Sequence, residues 1–472
     1  MTYQPRLPPR DYQIAANKKM YGRPAFALLM AMRTGKTKVA LDDFGALEIN
    51  KEVDDLLVIA PAGVYRTWET AIKEHLSEDL LRRVDVYTWT SGKFTGLVRF
   101  MNTLDRPRIM LMNVEALSRK GEARSTAINF TRQRRCVVAI DESTIIKNPS
   151  AKRTKFINEN IAPLARYRRI LSGLATPRSP LDLYSQFEFL DTKILGYDSY
   201  WVWRRRYAIL QRTEIGGRYV DLVVGYQNVE ELKEIIEPYS YRVEFRPKIP
   251  STYSIREISL TEEQDKAYKE LKEFATTQLG DGSHVTATVV IAQILRLHQI
   301  LCGHVVDELG NHHEIPETRT DELLELLDEY QGKAVIWCSY DKDIRKVSKA
   351  LGDYFGCPVA RFWGGNVLER EQEELNFKTL PDWRFMVATP DAGGRGRTWD
   401  CADLVVYYSS RNNLEHRDQS EQRVQGVNKD RQVDYIDLIA PNTVEMKILE
   451  ALRNKINMAA IINGDNFREW LI

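Results

Sequence analysis

Three residues stand in a row at Gly35, Lys36 and Thr37, closing the run MAMRTGKT. A glycine lets the backbone approach a bound group closely. An amine next to it reaches phosphate oxygens, and a hydroxyl next to that can ligate a hard cation. The preceding run PAFALLMAM reads as a buried strand and KVALDDFGALEI as the helix that follows. The free N–H groups and dipole of a helix N-terminus favour anions, so this is a strand–loop–helix cradle for a triphosphate. The usual G-x-x-x-x-G-K spacing wants glycine where Met30 stands. A second pair, Asp141 and Glu142, follows the apolar run CVVAI. Open parallel sheets place ligand sites at the C-terminal ends of such strands. There Asp141 would hold Mg²⁺ together with Thr37, and Glu142 would orient an attacking water as general base.

Positioning two such segments requires a large scaffold. The chain has 472 residues, 43% of them hydrophobic and 28% charged, as in a globular protein of two or three domains. Lysine and arginine number 67 against 66 acidic residues, a net charge of +1. Global charge therefore argues neither for nor against a nucleic-acid partner, and a basic groove would have to be local. The apolar runs are too short to span a bilayer, and MTYQPRLPPRDYQ lacks the apolar core of a signal peptide, so an intracellular, cytoplasmic location without a membrane partner is expected. The cysteines, Cys136, Cys302, Cys338, Cys357 and Cys401, form no disulfide framework. Cys302, His304, His312 and His313 are zinc-compatible types, but their spacing fits no familiar zinc pattern, and VVDELGNHHEI reads more simply as a β-hairpin turning at Leu309-Gly310-Asn311.

Strand-like and helix-like runs alternate over residues 25–175, as in LLVIAPA, RIMLMN and CVVAI, which predicts a parallel sheet with crossover helices. From about 180 to 300 the pattern turns mostly helical and aromatic, including YDSYWVWRRRY. That segment is basic and aromatic, so it fits either a stacking surface for bases or tryptophans packed between helices. Alternation returns in KAVIWCSY, RFMVATP, LVVYYSS and QVDYIDLI, and TVEMKILEALRNKINMAAIING is an amphipathic terminal helix. The expected domains are 1–250, with a helical protrusion at about 180–250, and 251–472.

The order of these segments resembles the SWI/SNF-type ATPases of helicase superfamily 2, and the resemblance runs over nearly the whole chain. It is strongest to the compact versions found in bacteriophages and bacteria. LPPRDYQ resembles the adenine-reading segment, with Arg10 and Gln13 on the nucleotide beside Thr34. APAGVYRTWETAIKE and LMNVEAL resemble segments that track a DNA backbone, with Arg66, Trp68 and Asn113 as candidates. DESTIIKNPSAKRTK is close to the family's acidic motif, with Thr144 where histidine is common, and it offers Lys147, Lys152, Arg153 and Lys155 to DNA. LSGLATPRSPLDLYSQFEFLD resembles the coupling motif, although the usual Gly-Thr-Pro reads Gly173, Leu174, Ala175. KAVIWCSY, with Ser339, and ATPDAGGRGRTWDCADLVVYY, with Gly393, Gly394 and Gly396, resemble later motifs; Ser339 and Gly393 would meet DNA and Gly396 the nucleotide. HRDQSEQRVQG resembles the arginine motif Q-x-x-x-R-x-x-R: Gln419 and Arg423 match, and Gly426 stands where the second arginine belongs.

The resemblance implies an α/β fold of two RecA-like parallel-sheet lobes with helical insertions and a nucleotide cleft between them. It implies ATP and Mg²⁺ as cofactors, and Lys36, Glu142 and Arg423 as the catalytic set. The implied activity is a DNA-dependent ATPase that moves along duplex DNA without sequence preference. It would act as a monomer, with replication or repair proteins as partners, in a prokaryotic or phage-infected cell. Because Gly426 removes a cation that stabilises transition-state charge, three outcomes stay open: Arg423 suffices, Lys429 or Arg431 moves in, or the chain is a DNA-binding module with weakened hydrolysis.

Overall fold

A computed structural model describes the chain except residues 1–2, 62–63, 66, 93–94, 174–178, 216–217, 245–248, 281–286, 307–311, 394–396, 411–412, 426–428 and 454–472. It divides into two compact units, Met1–Ile209 with Tyr226–Arg246, and Leu210–Gly225 with Pro247–Ile472.

In the first unit, strands β1 (Ala25–Met30), β2 (Asp55–Ala60), β3 (Asp85–Thr88), β4 (Arg108–Asn113), β5 (Cys136–Ile140) and β6 (Tyr167–Ser172) enter one sheet. After the hairpin strands β7 (Ala208–Ile215) and β8 (Arg218–Tyr226) the chain returns as β9 (Ser240–Val243). The sheet order is β3-β4-β2-β5-β6-β1-β9, and every pairing is parallel. Its central strands are buried along their whole length, which is why they are runs such as AFALLM and CVVAI rather than alternating patterns. Helix α1 (Asp11–Met20) precedes β1, α2 (Lys36–Ile49) follows it, and α3 (Thr67–His75) follows β2. One face of the sheet packs Phe26, Leu28 and Met30 against Val39, Leu41, Phe44 and Leu47 of α2. An ion pair locks that helix in place: Arg169 of β6 donates through Nε to Asp43 at 2.9 Å and through Nη1 to the carbonyl of Arg23 at 2.9 Å. Both side chains are buried, so losing either partner would cost about 3–5 kcal/mol.

The second unit holds β10 (Thr252–Glu257), the antiparallel pair β11 (His304–Val306) and β12 (His312–Glu314), then β13 (Ala334–Trp337), β14 (Val359–Phe362), β15 (Phe385–Ala388), β16 (Leu404–Tyr407) and β17 (Asp434–Ile439). Its sheet runs β10-β17-β16-β13-β15-β14, again with every pairing parallel. Two parallel sheets flanked by helices are the expected α/β architecture. The hairpin read at VVDELGNHHEI is present as β11 and β12, and its turn lies outside the described residues. The terminal amphipathic stretch is helical over Val444–Arg453.

Residues 180–300 carry more helix than strand, and the helical reading left out one element: β7 and β8 pair with each other within them. The signal was Gly216-Gly217 between two alternating runs, a hairpin pattern that a tally of helix formers passes over.

Candidate nucleotide site

The first unit brings its predicted residues together at the C-terminal ends of three neighbouring strands. After β1 the backbone turns with positive φ at Arg33 (64°) and Gly35 (80°), and Gly35 caps α2 in the left-handed conformation. Gly35 has a second reason to lack a side chain. A Cβ there would lie 2.3 Å from Nε2 of Gln13. Gln13 is buried, with Oε1 accepting from the backbone N–H of Arg10 at 2.9 Å and Nε2 donating to the carbonyl of Thr34 at 2.9 Å. Those bonds leave the amide one N–H and one lone pair, enough to read an adenine edge. Thr34 is fixed in turn by its hydroxyl, which donates to the carbonyl of Ala31 at 2.7 Å. The predicted adenine segment and phosphate loop are thus tied to each other. The Arg10 side chain is exposed, and Thr37 is half-buried at the start of α2.

Across the end of β6, Nζ of Lys36 stands 3.2 Å from Oε1 of Glu142. Gly173, at the end of β6, is close enough that a Cβ there would lie 3.7 Å from Lys36 Nζ and 2.9 Å from Met32 Cγ. Glu142 has φ +49°, a strained conformation for a residue with a side chain and one that clusters at functional sites. Asp141 is buried and held at both oxygens: Oδ1 accepts the Glu142 backbone N–H at 2.9 Å and Oδ2 accepts the indole N–H of Trp68 at 2.9 Å. Burial raises the Asp141 carboxyl above its ordinary range, against the pull of the Lys36 ammonium, and the Glu142 charge raises it further.

The expected DNA contacts fare differently. Trp68 is fully buried in α3 with its N–H on Asp141, so it belongs to the acidic pair and offers no surface to DNA. Asn113 caps the turn that follows β4, its side chain accepting from Ala116 N at 2.8 Å. Lys147 and Lys152 are exposed, Lys147 lying 3.5 Å from Asp182, and the Arg153 guanidinium donates to the carbonyl of Ile145 at 2.8 Å. Arg66 lies outside the described residues.

In the second unit Ser339 is buried and bonded to Ser409, its hydroxyl donating to the Ser409 carbonyl at 2.9 Å. It is therefore a strand-end tether rather than an open contact. Gly393 ends a short helix, Pro390–Gly393, while Gly396 and Gly426 lie outside the described residues. Gln419 and Arg423 share the helix Leu414–Val424, both buried, and Arg423 donates to the carbonyl of Arg397 at 2.7 Å. The two proposed stand-ins for the missing arginine are engaged elsewhere. Lys429 lies 2.8 Å and Arg431 2.6 Å from Asp403, just before β16 and at the opposite end of that strand from the ligand-binding side of a parallel sheet.

Among the described residues, Cys302 joins a compact buried group with His298 and Glu445 rather than with the hairpin histidines. Within that group Glu445 takes both Arg319 Nη2 contacts at 2.7 Å and the Ala440 N–H at 2.8 Å, and His298 Nδ1 meets the Tyr340 hydroxyl at 2.7 Å while its Nε2 lies 3.3 Å from Glu445 Oε1. Sequence reasoning missed the Trp68–Asp141 bond and the buried pair Lys38–Asp42 at 2.6 Å. Only the second had a signal, its i,i+4 spacing. Among the described residues no helix is long and apolar enough to cross a membrane.

A family model described as the SNF2-related domain matches residues 16–305. The chain is 22% identical over 378 residues to the TATA-binding protein-associated factor mot1 of Aspergillus fumigatus, covering 69% of this chain and 20% of that protein. It is 24% identical over 297 residues to the helicase-like transcription factor of Homo sapiens, covering 59% and 28%. The match to a solved Sulfolobus solfataricus SWI2/SNF2 ATPase core in complex with dsDNA is 22% identical, covers 100% of this chain and 97% of that one, and has a TM-score of 0.42.

Proposed function

The chain belongs to the SNF2-related domain family, and from that premise we propose that it is an ATP-driven motor that moves along duplex DNA. The observation that carries this reading is the contact of Lys36 with Glu142 at 3.2 Å, beside a buried, twice-bonded Asp141. Lys36 exchanges Glu142 for the β- and γ-phosphates when ATP enters. Glu142 is then free to accept a proton from the attacking water. Gln13 reads the adenine through its remaining donor and acceptor. Asp141 and Thr37 would hold Mg²⁺, since a site with one carboxylate, a hydroxyl and phosphate oxygens suits that ion. Bound there, Mg²⁺ neutralises charge on the phosphates. Of the second-unit residues, Gln419, Gly396 and Arg423 are those we assign to the nucleotide, with Arg423 the arginine that its motif retains.

Exposed Lys147, Lys152 and Lys155 give phosphate contacts without base readout, so binding should be insensitive to sequence and weaken steeply with salt. The role we assign is DNA remodelling, fork or strand annealing, or repair, as a cytoplasmic monomer of a prokaryotic or phage-infected cell that works beside replication or repair proteins. A second reading, a DNA-binding module with weakened hydrolysis, is favoured by Gly426 together with the engagement of Lys429 and Arg431 by Asp403.

ATP hydrolysis with no nucleic acid, duplex DNA, single-stranded DNA and RNA tests both readings. Duplex stimulation abolished by Lys36→Ala establishes the motor. Absence of turnover that Gly426→Arg restores means a motor stalled at one residue. Absence in both, with ATP and DNA still bound, sinks the translocase reading.

A further inference from the structure

The helix Tyr200–Tyr207 divides its aromatic residues between two faces. Trp203 and Tyr207, one turn apart, are fully buried and pack with ring centroids 4.2 Å from each other. Trp201 and Arg205, also one turn apart, point the opposite way, and Trp201 is 64% exposed. The sequence left open whether this segment stacks bases or packs inside, and the helix has one face buried and one exposed. An exposed tryptophan is costly in water, yet this one is held in place. Tyr200 meets it edge-on at 5.6 Å, Tyr200 in turn meets Tyr184 at 5.6 Å, and Tyr184 packs on buried Trp203 at 6.0 Å. Arg204 lies over the Trp201 ring at 5.7 Å, and Val202 beside it is 55% exposed. A rigid indole flanked by guanidinium groups is the chemistry that takes an unpaired base on its π-face and the adjoining phosphate on its cations.

We propose that this helix face, with Trp201, Arg204 and Arg205, is a stacking platform for an unpaired base of DNA, so that the protein favours DNA with a single-stranded arm over uninterrupted duplex. The proposal rests on the DNA-motor reading above and adds to it a preference for branched substrates. A duplex track carries no unpaired base, so the platform and the motor can be tested apart.

The experiment measures binding of fluorescently labelled blunt duplex, oligothymidine and a fork with unpaired arms to the full chain, together with duplex-stimulated ATP hydrolysis. The variants are Trp201→Ala, Trp201→Phe and Arg205→Ala. Trp201→Ala should weaken oligothymidine and fork binding by about tenfold or more, the loss of one stacked base. Duplex binding and duplex-stimulated hydrolysis should stay as they were. Trp201→Phe, which keeps a π-face, should recover much of the loss, and Arg205→Ala should reduce the salt dependence of fork binding. Equal fork and duplex affinity in the parent chain, or fork binding untouched by Trp201→Ala, overturns the platform while leaving the motor standing. Equal losses on duplex and fork with an unchanged melting temperature also overturn it. A parent chain with no DNA-stimulated hydrolysis that still prefers forks would fail the motor reading and keep the platform.

Discussion

Replacing Trp68 with phenylalanine isolates one bond in the acidic site. The indole N–H reaches Oδ2 of Asp141 at 2.9 Å, both groups are buried, and the carboxylate's other oxygen is already occupied by the Glu142 N–H. A hydrogen bond to a charged group in such surroundings contributes roughly 1.5–3 kcal/mol. It stabilises the ionised form more than the neutral one, and the ionised form is the one that can hold Mg²⁺. Asp141 is already pushed upward by burial and by the Glu142 charge, and held down by Lys36 and by this bond. Trp68→Phe therefore raises the carboxyl further. At 1.4 kcal/mol per factor of ten, the Mg²⁺ concentration for half-maximal hydrolysis should rise by about tenfold or more. The acid limb of the pH profile should move to higher pH, because more alkaline solution is needed to ionise Asp141. The assay is a Mg²⁺ titration of ATP hydrolysis at several pH values, paired with thermal melting. Lost ring volume in the α3 core will lower Tm on its own account. A lowered Tm with an unchanged Mg²⁺ midpoint and acid limb would mean that Trp68 only packs, and the reasoning would be wrong.

Three further outcomes follow from the geometry. Gly35→Ala places a Cβ on Gln13 Nε2 and an L-residue at φ +80°, so it should cost about 1–2 kcal/mol in denaturant unfolding and abolish nucleotide binding, which a fluorescent ATP analogue would report. Glu445 is buried, which opposes its charge, but the Arg319 guanidinium outweighs this and holds its carboxyl at about 2. A lowered acid stabilises the fold above its ordinary pKa of 4.5 and loses that stabilisation as pH falls toward 2. Glu445→Gln should destabilise by about 3–5 kcal/mol at neutral pH and flatten that acid dependence in chemical denaturation. Burial lifts Asp343 from 3.8 to about 7, so the native state keeps a proton that the unfolded chain gives up, and stability falls as pH rises through that window. The stability difference between Asp343→Asn and the parent should therefore grow in the variant's favour from about pH 4 to pH 7, by up to roughly 4 kcal/mol. Burial holds neighbouring His304 near 4 with the opposite slope.

The strands that announced themselves were the central ones. AFALLM, DLLVIA, RIMLMN and CVVAI are buried on both faces, so each had to be a continuous apolar run. The edge strands β3, β9, β10 and β14 are paired on one side of their sheets and carry mixed, partly exposed side chains, and no such run marks them. Trp68 shows the same limit at the site. Its place in a motif was legible, but a tryptophan's local sequence does not say whether its N–H meets a carboxylate or DNA.

What the sequence determined by itself was the chemistry available and its order: Gly35-Lys36-Thr37 after one buried strand, Asp141-Glu142 after another, and Gly426 where a second arginine belongs. Those follow from local rules, since a strand's apolar run, a loop's glycine and a helix start are each written within a few residues. Tertiary structure alone decided that Lys36 meets Glu142 across 106 positions of chain, that Gln13 fills the space above Gly35, and that Lys429 and Arg431 are engaged by Asp403. Each of these depends on which strands become neighbours and which side chains are driven out of water together. That is settled by packing of the whole sheet and not by any segment of it.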